Sequence, residues 1–177
     1  MRLNIGCGPV LLEDWTNVDP DPQWGADFRS LIAFVPDSAD GAVAHHVLQM
    51  IAWPDLVPWL TEVRRVLKPG AVLRISVPDL YRVRDWLDRP WDEDDLPPIA
   101  DEHEASKDGK VCLWVSQAGA TRSVFTDSWL MELCQRAGFA RALSTNYQST
   151  RLGPPWLLDL DHLPDRSTES VYVEAMA

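Results

Sequence analysis

The chain has 177 residues, 46% of them apolar, and a formal charge of −11; that length and composition suit a single domain, residues 1–177, with its own core, and exclude a disordered chain. The charge argues against a nucleic-acid partner, and no apolar run is long enough for membrane insertion. Residues 1–20 lack the order of a secretory signal, and Cys7, Cys112 and Cys134 are too scattered for a disulfide framework or a thiolate metal site, so a cytoplasmic location is expected.

In chain order, Arg2 to Ile5 reads as a strand, followed by the turn Gly6-Cys7-Gly8-Pro9 and a second strand at Thr16 to Val18. The spacer Cys7 to Trp15 has room for about two helical turns. Ala26-Asp27-Phe28 reads as a very short third strand or edge, and Ala42 to Val47 as an interior parallel strand. Pro54 suits a first helical turn, and Leu56, Leu60, Val63 and Leu67 repeat on one face, up to a stop at Pro69-Gly70. Ala71 to Val77 is then a strand, and a helix is expected from Asp79 through Trp86.

Between Asp85 and Glu104 nine acidic residues face one arginine, Arg89, within an acidic, proline-rich insertion at about 89–110. It reads either as a solvated loop or as a lid that touches substrate. Val111 to Ser116 fits a short strand or the start of a helix. Thr126 resembles an N-cap for a helix ending at Gly138, and Phe139 to Thr145 and Ser170 to Glu174 read as an antiparallel strand pair around an irregular stretch, Tyr147 to Arg166. The fold class is α/β, a Rossmann-like, mostly parallel sheet flanked by helices with a C-terminal antiparallel pair.

Ligands of such sheets sit beyond the carboxyl ends of the strands. Gly6, Gly8, Asp19, Asp27, His45, His46 and Asp79 all fall at those ends. Glycines let backbone N–H groups approach a ligand, and a carboxylate at Asp19 suits ribose hydroxyls, which suggests an adenosine-containing cofactor. A nicotinamide dinucleotide fits poorly. No third glycine follows Gly8, Pro9 removes a donor, and Asp19 arrives thirteen residues after Gly6 where the dinucleotide fingerprint has about twenty.

Asn4 to Pro9, Asn17-Val18-Asp19, Asp27, Asp40, His46-Val47-Leu48, Glu62 to Gly70 and Arg74 to Leu80 together resemble small class I methyltransferases of the seven-stranded type, which use S-adenosyl-L-methionine. More narrowly they resemble short members associated with cell-surface polysaccharide pathways. The Arg65-Val66-Leu67-Lys68-Pro69-Gly70 string carries most of that likeness. The resemblance implies that Asn4, Gly6, Cys7 and Gly8 border the methionine part of the cofactor, that Asp19 binds the ribose, that Asp27 and Phe28 meet the adenine, and that His45 and His46 approach the methionyl end. Asp19 as a turn cap, Asp27 as a surface residue and Phe28 as core are the competing readings.

The chain departs from the family in several places. The first position of the glycine motif is Asn4 rather than an acid, and no helix precedes the first strand. His46-Val47-Leu48-Gln49-Met50 stands where many relatives read His-Val-Leu-Glu-His, and Thr121-Arg122 stands where a histidine-basic pair is common.

Methyl transfer from a sulfonium needs donor and acceptor held in line, and a hydroxyl acceptor needs its proton removed. His46 and Asp79 are the candidate catalytic residues, His46 also reading as a buried structural histidine and Asp79 as a helix cap. Tyr81, Arg82 and Arg122 are candidates for contact with a small-molecule or saccharide substrate. No metal is expected, because neither His103 nor the Asp159 to His162 stretch has a known catalytic spacing. A homodimer is admitted. The alternative function is a non-catalytic module that keeps an adenosine pocket and meets a protein partner.

Overall fold

Short β-branched and aliphatic runs assemble into one six-stranded sheet in the computed structural model of the chain. The structure describes residues 1–21, 23, 31, 34–88, 106–116, 119–159, 161, 167 and 169–177. The strands are β1 (Arg2–Ile5), β2 (Thr16–Val18), β3 (Ala39–His45), β4 (Leu67–Pro78), β5 (Arg141–Thr145) and β6 (Ser170–Met176), in the order β2-β1-β3-β4-β6-β5. The first four are parallel, and β6 runs antiparallel between β4 and β5. The helices are α1 (Leu56–Val66), α2 (Leu80–Asp88), α3 (Lys107–Ser116) and α4 (Asp127–Arg136). Among the described residues no helix is long and apolar enough to cross a membrane.

Side chains alternate across the sheet, so each strand serves two cores. Ala42, Ala44, Leu73, Ile75, Val173 and Ala175 pack with Leu56, Leu60 and Val63 of α1 and Leu130, Leu133 and Cys134 of α4. Each fully buried leucine there contributes about 1.5–3 kcal/mol. Thr126 caps α4, its Oγ1 accepting from the Trp129 amide. On the opposite face Val43 and Val72 meet Leu157, with Trp15, Leu152 and Trp156 packed around them. Close approach there requires Gly41, where a Cβ would lie 2.4 Å from the Trp156 ring.

Polar residues on that second face form a buried ionic cluster. Arg74, wholly buried in β4, donates to both Asp161 oxygens at 3.0 and 2.5 Å, to Glu174 at 3.1 Å, and to the carbonyls of Ser149 and Asn146 at 3.0 Å each. All the N–H groups of a guanidinium are thereby used. The other Glu174 oxygen accepts from the Arg151 and Leu152 amides at 2.8 Å each. The cluster thus fastens the chain after β5 across the sheet.

Several expectations change. The spacer Cys7 to Trp15 forms turns instead of helix, because Asn17 exchanges hydrogen bonds with both backbone groups of Leu12 and Asp14 adopts a positive φ. Helix α1 ends at Val66 and β4 starts at Leu67, four residues early, since Leu67 pairs with Ala39 across an irregular register. Strand β3 likewise begins at Ala39 and ends at His45, before His46-Val47. Val111 to Ser116 is helical, and α3 takes in the end of the insertion from residue 107. Helix α2 continues to Asp88, two residues beyond Trp86. The third short strand at Ala26 to Phe28, and residues 89–105 of the insertion, lie outside the described residues.

Candidate active site

The glycine turn is built for its curvature. Gly6 and Gly8 have φ of +69° and +49°, in the left-handed region. At Gly6 an added Cβ would also fall 2.1 Å from Val47, so the loop after β3 closes directly on the turn. At Gly8 an added Cβ would meet nothing within 4 Å among the described residues, so they leave this stretch of backbone open. Asp19, 7% exposed at the end of β2, accepts from the Gly8 amide at 2.8 Å and the Asp21 amide at 3.0 Å. Asn4 bridges the Val10 carbonyl and the Asn17 side chain, each at 2.9 Å. Burial, then the neighbouring Asp19 charge, raises the Cys7 thiol pKa, so Cys7 stays a neutral packing group.

The two histidines part company at the end of β3. His45 points to the second face, its Nδ1 2.5 Å from Ser76 Oγ and its Nε2 3.5 Å from Asp161, and so joins the ionic cluster. His46 follows with φ of +52°, in the left-handed region that non-glycine residues adopt uncommonly, histidine more readily than most. Its Nε2 lies 2.7 Å from Ser170 Oγ and 3.9 Å from the Glu169 carboxylate. Glu169, 2% exposed, also accepts from the Trp114 indole at 3.2 Å. Sequence reasoning missed Glu169 and Ser170. An antiparallel last strand was the signal, because its first residues must return to the edge where β4 ends, and Ser170 pairs with Pro78.

Asp79 follows β4, and its Oδ1 accepts from the Tyr81 amide at 2.9 Å, starting α2 as a cap does. Burial raises its pKa above the usual 3.8. Its amide donates to the Glu169 carbonyl at 2.9 Å, which ties Asp79 to the His46 partners. Asp79 also lines a narrow cleft of about 10 Å³, room for a single water, with Gln49, Leu80, Trp114 and Thr121. A broader, open groove of about 550 Å³ adjoins it through Thr121, Ser123 and Val124 and holds Trp53, Arg122 and Trp129.

The sheet edge therefore brings together Gly6, Gly8, Asp19 and His46, with Asp79 at the end of β4. Tyr81 and Arg82 are exposed on α2, outside both the cleft and the groove, whereas Arg122 lines the groove. Trp114 and Trp156 are packing residues, Trp156 stacking edge-on with Trp15 at 5.4 Å. Asp27 and Phe28 lie outside the described residues.

Residues 9–75 match a family described as a methyltransferase domain. No curated protein matches the sequence. The fold is similar to a SAM-dependent methyltransferase of Archaeoglobus fulgidus, 12% identical, with 99% of this chain and 85% of that one covered at a TM-score of 0.59. An S-adenosylmethionine-dependent methyltransferase of Mesorhizobium loti is 16% identical over 99% and 90% of the two chains, with a TM-score of 0.58. The 1,6-didemethyltoxoflavin-N1-methyltransferase of Burkholderia thailandensis, solved with bound 1,6-didemethyltoxoflavin and S-adenosylhomocysteine, is 17% identical over 99% and 69%, with a TM-score of 0.54. The shared fold is a Rossmann-like, mostly parallel sheet with an antiparallel pair at the C-terminus.

Proposed function

We propose that this chain, whose domain match and fold support a class I methyltransferase, transfers a methyl group from S-adenosylmethionine to an oxygen of a small molecule or saccharide precursor. The observation that carries this reading is the meeting of the glycine turn, Asp19 and His46 at one carboxyl edge of the sheet. The residues present suit the cofactor. The open backbone at Gly8 admits close approach, and Asp19 stands at the end of β2, where it takes up ribose hydroxyls by exchanging its backbone amide partners for them. When bound, the cofactor supplies a methyl group on a cationic sulfur.

The chain itself orients the acceptor and removes its proton. Ser170 and Glu169 engage Nε2 of His46, which fixes the ring beside the glycine turn. The Glu169 carboxylate then stabilises the imidazolium that forms. Proton transfer to a positioned base is worth about 10²–10⁴ in rate. A tritiated-methyl transfer assay with a panel of alcohols, phenols and saccharide precursors tests the proposal. Transfer to at least one hydroxyl, falling by about 10²-fold or more in His46→Gln, is expected. Undiminished transfer in His46→Gln overturns the role of His46, and cofactor binding with no transfer to any acceptor favours a binding module.

A further inference from the structure

We infer that the open groove lined by Trp53, Arg122 and Trp129 is the acceptor subsite and that it takes a single ring carrying one carboxylate, an inference that rests on the methyltransferase reading. Its volume of about 550 Å³ falls within the roughly 300–1,000 Å³ of clefts that hold small molecules. The described wall consists of Trp53, Trp129, Val115 and Val124, the hydroxyl residues Ser116, Thr121 and Ser123, and Arg122. Trp53 is 62% exposed and Val124 48%, so this concavity leaves adjoining apolar surface in water. An indole offers a wide face on which a ring can lie.

The charge of the wall sets the ligand. The chain as a whole carries −11, yet none of the described lining residues is acidic and Arg122 is basic. Its exposed guanidinium makes no hydrogen bond or ion pair among the described residues. Arg136, by contrast, lies over the Trp129 ring at 5.3 Å and is already paired with Glu132. The Ser116 and Ser123 hydroxyls donate to the Leu113 and Ile51 carbonyls, at 3.0 and 2.8 Å, so neither competes with Arg122 for a ligand acceptor. A guanidinium presents a planar fork that fits a carboxylate through two parallel bonds. A carboxylate brings one charge, which Arg122 matches. A phosphate monoester brings about 1.5 to 2, and leaves charge unmatched in a field that is negative overall.

Position joins the groove to the proposed base. The Arg122 and Ser123 amides both donate to the Gln49 carbonyl, at 2.7 and 3.2 Å, and the Gln49 side chain donates to the His46 carbonyl at 2.7 Å. The segment that carries Arg122 is thus fastened to the loop that follows His46.

Ligand-observed NMR titration of the full chain at low salt, with and without S-adenosylhomocysteine, tests the inference on two pairs of probes: galacturonic acid against methyl galactopyranoside, and para-hydroxybenzoate against para-hydroxybenzamide. The pairs separate a saccharide from an aromatic source of the ring. At least one acid is expected to bind, about tenfold or more tighter than its neutral partner. Arg122→Gln should remove that preference, Arg122→Lys should keep part of it, and Trp53→Ala should weaken acid and neutral partner alike. Because the Arg122 guanidinium makes no bond among the described residues, both Arg122 variants should melt with the wild type and bind S-adenosylhomocysteine equally well. No preference for the acid in the wild type, a preference that survives Arg122→Gln, or no probe binding in either cofactor state overturns the subsite. Absence of S-adenosylhomocysteine binding to the wild type overturns the cofactor reading instead, and the probe titration without it still reports on the groove.

Discussion

Two buried polar regions flank the same sheet and are finished differently. Around Arg74 the guanidinium donors, both Glu174 oxygens and both Asp161 oxygens have partners, all within the chain. Around Gln49 and Thr121, an amide oxygen and a hydroxyl are buried without one among the described residues. Complete satisfaction marks a structural clamp, whereas buried groups left without a partner cost free energy where they stand. Charge and burial alone do not separate the two, but the hydrogen-bond account does.

The comparison breaks most visibly at Arg74. Arg74→Met leaves Asp161 and Glu174 buried beside an apolar side chain, and a loss of about 3–5 kcal/mol in stability is expected from urea unfolding. A loss under about 1 kcal/mol would mean that the cluster is not a clamp. Next is Gly6→Ala, which meets both the left-handed φ and Val47. It should cost about 1–3 kcal/mol by thermal unfolding and weaken cofactor binding.

The opposite sign is expected in the cleft. Thr121→Val should stabilise the protein by about 1 kcal/mol, because it removes a buried hydroxyl that has no bond to lose. Smallest is the effect of Asp79. Its folded pKa is raised by burial, so the stability it contributes is full below its unfolded value near 3.8 and is lost as pH rises through the higher folded value. Wild type should therefore gain on Asp79→Asn as the pH is lowered through that window, while both keep the Tyr81 cap. A constant difference between pH 3 and pH 7 would contradict the shift.

The fold was largely legible because its strands are short apolar runs between strong punctuation. Arg2 to Ile5, Thr16 to Val18 and the Pro69-Gly70 turn announce themselves locally, and so does the Thr126 cap. What escaped was decided at long range. Arg74 sits in an apolar strand, and its carboxylate partners lie 87 and 100 positions away. Asn17 overrode the helical reading of Cys7 to Trp15 through its side chain, which a hydrophobic pattern does not weigh. At the site, the sequence placed Gly6, Asp19 and His46 on one edge but missed Glu169 and Ser170, whose position follows only from the register of β6 on β4.

The proposed S-adenosylmethionine site is the sheet edge from Gly6 to Asp19. Calorimetric titration of the folded wild-type chain with S-adenosylmethionine and S-adenosylhomocysteine tests it most directly. Saturable one-to-one binding of both, lost or strongly weakened in Asp19→Ala, is the predicted result. Absence of binding of either ligand to a protein whose circular dichroism shows it folded would contradict the account.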